Sequence, residues 1–354
     1  MIGNRLKLAR SAAGLSLRGL SDRIDNSVSA QAIGKYERDE AMPRSGVLIA
    51  LAESLDVSVD YLSGDPGISL RGVDFRSRRV TSRRDEDRIG ATVIQKLERY
   101  LVIEEVLDMQ SVYWDRPRLA PYPVISGIHE ADRAASALRN EWGLGLNPIY
   151  DMAEMMEDHG AKVFFCPLEE GIDGLTAHVG RDNQPDARVI VVSQDVSRDR
   201  QRFTIAHEIG HMVLDVSPGI DREEATHRFA GAFLMPEEVL WAKIGKHRSD
   251  IDWREFLALK LSFGMSIQAI THRCRNLGII SQALSGRLFE TFDRVGWRSP
   301  PYREPLDAQG SRIGRFERLC LRALAEGAIS ESRASELLGV STQELNDEWR
   351  WLVS

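Results

Sequence analysis

The stretch Arg200 to His211, RQRFTIAHEIGH, limits this chain more than any other, because it sets two histidines four residues apart around a glutamate. On a helix, positions i and i+4 share a face, so His207 and His211 can bind one metal ion. Glu208 is then placed to act on a water held there. Nothing in Phe203 to Leu214 blocks a helix: it has no proline, and Gly210 is its only glycine. Ile205, Ile209, Met212 and Val213 can enter a core, and Ser217-Pro218-Gly219 ends the element. The alternative is a buried helix whose histidines only hydrogen-bond. Clustering weighs against it: three of the eight histidines, His207, His211 and His227, fall within 21 residues, beside Glu208, Glu223 and Glu224. A zinc hydrolase needs a third protein ligand and an open fourth position. Asp221-Arg222-Glu223-Glu224 opens a second helical run that can supply that ligand.

The 354 residues are long for one core and point to two or three domains. With 43% hydrophobic and 28% charged residues the chain is of the ordinary globular class, and no uncharged run approaches the length of a membrane helix. The N-terminus MIGNRLKLARSAAG carries charge where a secretory signal needs an apolar block, so a cytoplasmic location is expected. Cys166, Cys274 and Cys320 form no spacing motif, which fits a reducing compartment. A net charge of −7 argues against a general nucleic-acid coat but leaves room for a small DNA-reading module.

Residues 1 to about 64 read as five short helices, with Ser16 a plausible N-cap and Ser29 to Tyr36 a helix whose polar Gln31 and Lys35 oppose Ile33. Two short helices joined by a tight turn, the second with a polar face, describe a helix-turn-helix. LSLRGLSDRI…SAQAIGKYERDEAMPRSGVLIALAESLDVSVDYL resembles the Cro/phage-repressor (XRE) type of DNA-binding domain. The resemblance implies that Gln31, Ala32 and Lys35 occupy groove-facing positions and that Arg18, Ser29 and Arg38 make phosphate or flanking contacts. Gln can read adenine bidentately, and Lys and Arg neutralise phosphate. Residues 1–65 nonetheless hold 8 Lys+Arg against 9 Asp+Glu, so the head is not basic, and a bundle for protein contacts is the alternative.

From Arg71 to Arg84 six arginines fall in fourteen residues, which reads as a solvated linker or as an arm along DNA phosphates. A helix follows, with Ile89, Val93, Leu97, Tyr100, Leu101 and Leu107 at helical spacing. Residues 111–128 carry three prolines and read as irregular. Helices are expected over about 129–142 and 147–159, the latter with Pro148 near its start. Strands are expected at Ala161–Cys166, Gly174–Val179 and Arg188–Ser193, with a turn over 181–186 between the last two. His159 and His178 read as structural, although His178 could face a cleft. Beyond Phe233 the chain reads as helical, and AISESRASELLGVS resembles a second small helix-turn-helix.

RFTIAHEIGH followed by EEATHRFAGAFLMP resembles the ImmA/IrrE family of metallopeptidases, over roughly Glu130 to Phe289. The resemblance implies an α+β, predominantly helical fold: a zincin-like domain with a small sheet and an HExxH helix. It also implies Zn2+ held by His207, His211 and Glu223, with Glu208 the general base that activates a water for peptide hydrolysis. His227 lies four residues after Glu223 on the same helical face and is read as hydrogen-bonding a ligand or a reaction oxygen. The expected organisation is a DNA-binding head over 1–66, an Arg-rich linker and connecting helix over 67–128, a metallopeptidase domain over 129–290 and a helical region over 291–354. The resemblance implies a DNA-binding regulator fused to a site-specific endopeptidase that cleaves a repressor-type protein, or itself. Two-fold operators would call for a homodimer. The competing readings are a non-proteolytic regulator whose zinc domain senses metal or a small ligand, and an antitoxin-like binding protein.

Overall fold

Alternation in three short apolar runs builds the centre of the molecule. The structure is a computed structural model that describes residues 2–63, 70–75, 82–117, 124–181, 184–299, 302–307 and 314–353. Five helices come first: α1 (Gly3–Ala12), α2 (Leu17–Arg23), α3 (Ala30–Glu37), α4 (Ser45–Ser54) and α5 (Val59–Ser63). Strand β1 (Leu70–Phe75), the long α6 (Arg83–Val106), α7 (Glu130–Glu141) and α8 (Met152–Asp158) lead to β2 (Ala161–Cys166), β3 (Gly174–Arg181) and β4 (Ala187–Ser193). The rest is helical: α9 (Arg198–Val213), α10 (Arg222–Leu234), α11 (Glu237–Lys243), a 3-10 turn at Trp253–Phe256, α12 (Leu257–Phe263), α13 (Ile267–Asn276) and α14 (Gln282–Arg294). Last come α15 (Arg315–Ala325), α16 (Glu331–Leu338) and α17 (Thr342–Val353). The fold is α+β and mostly helical, and no helix among the described residues is long and apolar enough to cross a membrane.

The sheet runs β1-β3-β4-β2, with β2 parallel to β4 and the other neighbours antiparallel. Its period of two divides the interior. Ile190 and Val192 of β4 enter a core with α7, α8, α9 and α10. Val189 and Val191, with Leu175, Ala177 and Val179 of β3, enter another with α6, α15 and α16. Each of the four β4 residues is fully buried, worth about 1.5–3 kcal/mol apiece. The middle of the molecule is therefore a sheet covered by helices on both faces.

Two differences from the sequence reading have clear causes. Leu70–Phe75 is an edge strand paired with β3, not linker; six arginines outweighed the short Leu-Arg-Gly-Val-Asp-Phe pattern, and strand pairing is a non-local gain. Residues 76–81, the middle of the proposed arm, lie outside the described residues. Helix α8 starts at Met152 rather than near Pro148, because Asp151 caps it through the backbone N–H groups of Ala153 and Glu154 at 2.9 and 3.2 Å. The stretch Ser111–Pro117 has no regular structure, Ile125 forms a lone bridge to Val216, and residues 118–123 and 182–183 lie outside the described part.

The head has its own core of Leu6, Leu20, Ile33, Leu51 and Leu62. Helix α6 joins that head to the body. Its Ile89, Val93 and Leu97 pack under the sheet, while Glu98 takes a buried bidentate bond from Arg5 of α1 at 3.0 and 2.6 Å. Gln95 donates to the Tyr61 hydroxyl at 3.1 Å, and Arg84 donates to the Gly14 carbonyl at 2.7 Å. The C-terminal helices α15 and α16, where a second helix-turn-helix was expected, close the second core, and Ser58 donates to Glu336 of α16 at 2.9 Å.

Candidate metal centre

Helix α9 comes close to the sheet where β3 turns Gly174 and Thr176 toward it. In GLTAHVGR the residues Leu175, Ala177 and Val179 face α6, so Gly174, Thr176 and His178 fall on the other side. A Cβ at Gly174 would collide with the Thr204 methyl and the Val191 carbonyl, so glycine is what lets α9 come so close. Ile205, Ile209 and Val213 anchor α9 in the core, which leaves His207 and Glu208 buried but turned toward a cleft.

The third side chain comes from α10. Asp221 caps this helix, accepting from Glu223 and Glu224 backbone N–H groups at 2.9 and 3.1 Å. Arg222 donates to the His211 and Leu214 carbonyls at 3.1 and 3.4 Å and so ties the start of α10 to the end of α9. A Cβ at Gly210 would sit 2.7 Å from Thr226 and 3.1 Å from Phe229, so the bare backbone at Gly210 sets the α9–α10 separation. Glu223 Oε2 then lies 3.3 Å from His207 Nε2 and Glu223 Oε1 3.3 Å from His211 Nε2. The two histidine Nε2 atoms are 3.0 Å apart. Zinc bonds of about 2.0–2.1 Å in tetrahedral geometry put ligand atoms roughly 3.3 Å apart. His207, His211 and Glu223 therefore fit a zinc ion in both chemistry and spacing, and they are the group of metal-ligating side chains found among the described residues.

The neighbouring sequence candidates fall around this trio. The Glu208 carboxylate accepts a buried 2.8 Å hydrogen bond from Thr176 Oγ1. His227 is outside the three-donor group; its ring lies 4.4 Å from that of His207 and 5.8 Å from Phe203, on which it stacks. Glu224 lines the cleft without joining the donors. His178 does not line the cleft, and His159 bonds the Met155 carbonyl at 2.8 Å and lies with its ring 4.1 Å from that of Trp142.

Two features escaped the sequence reading. Thr176 is one, although the alternation of GLTAHVGR carries the signal, since it opposes Thr176 to the apolar side of β3. The other is a far wall of the cleft from beyond residue 290. The cleft, about 910 Å³ in volume, is lined there by Tyr302, Glu304 and Asp307. Glu304 accepts from Ile267 N at 2.6 Å and Gln268 N at 3.1 Å, at the start of α13, and from Lys260 at 3.1 Å. Lys260 also meets Asp199 and Asp307. Burial pulls its ammonium pKa down, but the bonds to Asp199 and Asp307 outweigh burial and leave it above the ordinary value. No local pattern joins residues 199, 260, 304 and 307.

In the head, Ser16 and Ser29 cap α2 and α3, accepting from Gly19 N at 2.9 Å and Ala32 N at 3.2 Å. Arg18, Gln31 and Lys35 are exposed, while Ala32 is half-buried against the core. Arg38 is exposed but pairs with Glu40 at 2.6 Å, which offsets its charge toward a phosphate.

Comparison with known proteins agrees with both parts. Residues 6–62 match a helix-turn-helix family model, and residues 156–275 match Peptidase_M78, the IrrE N-terminal-like domain. The chain is also similar to the HTH-type transcriptional regulator PrpR of Mycobacterium tuberculosis (strain ATCC 25618 / H37Rv). The two are 24% identical over 349 residues, spanning 83% of this chain and 67% of that protein. This chain joins an XRE-type helix-turn-helix domain to an IrrE/ImmA-like domain of the Peptidase_M78 family.

Proposed function

We propose that this protein is a DNA-binding transcription regulator that carries a zinc-dependent endopeptidase site. The observation that carries the reading is the meeting of His207, His211 and Glu223 at about 3.3 Å spacing, with Glu208 beside them in an open cleft. A zinc ion held there would supply Lewis-acid polarisation of a water and of the scissile carbonyl. Glu208 takes the proton of the attacking water and returns it to the leaving amine. Thr176 donates to Glu208 Oε2 and so restrains the rotation of that carboxylate. His227, whose ring lies 4.4 Å from that of His207, would hydrogen-bond a reaction oxygen. The remaining roles follow the same reading: Gln31, Ala32 and Lys35 meet base edges, Arg18, Ser29 and Arg38 lie at the flanks, and a homodimer reads a two-fold operator. The protein substrate is a repressor-type regulator or the chain itself.

The test compares protein termini in cells carrying the wild type and Glu208→Gln, under ordinary and stressed growth. We expect a terminus that requires Glu208, with metal content unchanged and cleavage reduced at least ~100-fold. One specific observation favours a second reading, a regulator that senses rather than cleaves: the similar protein named above is a transcriptional regulator. No Glu208-dependent terminus in any condition would decide for that reading.

A further inference from the structure

Away from the metal centre, a second cavity of about 380 Å³ opens between the head and the body. The small side chains Ala9 and Ala12 of α1 and Ala13 just after it line one side. Arg23 of α2 stands on the head side, and Arg88 and Arg99 of α6 stand on the body side. Against these three guanidinium groups the described lining offers one carboxylate, Asp56. Among the described residues, none of the three makes an ion pair or a side-chain hydrogen bond. Arg88 and Arg99 are half-buried, whereas Arg5, Arg10 and Arg228 are each matched by a carboxylate, in Arg5–Glu98, Arg10–Glu37 and Arg228–Asp132.

We propose that this cavity binds a small dianion, a phosphorylated or dicarboxylic metabolite, and that the ligand ties the DNA-reading head to the body. The volume is that of a small-molecule site. Arginine forks suit phosphate and carboxylate equally, and the same walls carry the Gln95 amide, while the Ser54 and Thr92 hydroxyls there already donate to the Leu51 and Arg88 carbonyls. The walls are preorganised. Arg5–Glu98 and Gln95–Tyr61 fix α6 against the head, and the stem of Arg88 lies against Gly14, where a Cβ would be 3.3 Å from Arg88 Cδ. A dianion bridging Arg23 to Arg88 and Arg99 adds a contact across the joint. Arg23 lies on α2, which packs on α3, so bound ligand restrains the helix that carries Gln31 and Lys35. The proposal does not depend on the metal centre being a peptidase.

The test is calorimetric titration of the full chain, at low ionic strength, with pyrophosphate, inorganic phosphate and succinate in turn. We expect saturable binding of at least one probe below about 1 mM. Arg88→Gln and Arg99→Gln should each weaken it by ~10-fold, the size of one charge-assisted contact. Arg23 is exposed, so Arg23→Gln keeps the fold and should weaken binding to the same degree. Arg133→Gln, on the exposed side of α7, should change nothing. A difference between pyrophosphate and succinate would assign the ligand to the phosphate or the carboxylate class. The proposal is overturned if none of the probes saturates, if Arg133→Gln weakens binding as much as Arg23→Gln, or if a short DNA duplex displaces the probe. The last result would make these arginines part of the DNA contact.

Discussion

Gly210 shows how one residue can obey local rules poorly and the site well. A glycine inside a helix is unfavourable by about 1 kcal/mol against alanine, so Gly210→Ala should stabilise α9 in isolation. In the folded protein the added methyl meets Thr226 and Phe229 at 2.7 and 3.1 Å. We therefore expect Gly210→Ala to lower stability in urea unfolding by about 1–3 kcal/mol, the usual range for overpacking. A rise in stability would mean that α10 yields without strain. His207, Glu208 and His211 were legible because their i, i+4 spacing is a local rule. Thr176 could be read only with the face of β3 in mind, since the partner of its hydroxyl lies 32 residues away.

At the scale of elements, the relation that makes the site is the one between α9 and α10. Asp221 holds the first turn of α10 and Arg222 holds that turn to the end of α9, so Glu223 is presented from a fixed direction. Replacing Asp221 by alanine removes a cap worth about 1 kcal/mol and loosens the turn that carries Glu223. Zinc affinity, measured by competition with a chelating dye, should fall by roughly tenfold, while Asp221→Asn keeps the cap and most of the affinity. Equal affinity in all three proteins would separate the cap from the ligand. Most elements followed from apolar periodicity and from capping residues such as Ser16, whereas the Asp151 cap went unread and with it the start of α8. Strand β1 did not, because its partner β3 is a hundred residues on and its own arginines read as linker.

Across the whole molecule, a polar network lies between the sheet and its outer helices. Lys162 of β2 pairs with Glu104 of α6 at 2.5 Å, and its ammonium sits 4.0 Å above the Tyr100 ring. Burial pushes the nearby Glu157 carboxyl up to about 7, against the pull of Lys162 and Arg315. A folded pKa above the unfolded one favours folding at low pH, and that contribution is lost as pH rises through the folded value. Between about pH 4 and 7 the wild type should therefore lose stability relative to Glu157→Gln. The two should match near pH 4, and the variant should lead by on the order of 1–3 kcal/mol at pH 8 in denaturant melts. A constant difference across that range would place the Glu157 carboxyl in water.

The amino-acid sequence by itself determined what local rules control. These are the five-helix head, the helical HExxH face, the three apolar strands, and the helical run opening at Asp221 that can supply a third ligand. Each rests on residues within a few turns of one another, so periodicity and capping expose it. Only the tertiary structure decided how those pieces share space. It turned Thr176 onto Glu208, brought Glu304 and Asp307 to Lys260 at the cleft wall, made Leu70–Phe75 a strand, and set three arginines around the joint between head and body. The physical reason is distance along the chain: such contacts join segments tens to hundreds of residues apart, and burial and charge choose those partners only once the chain has packed.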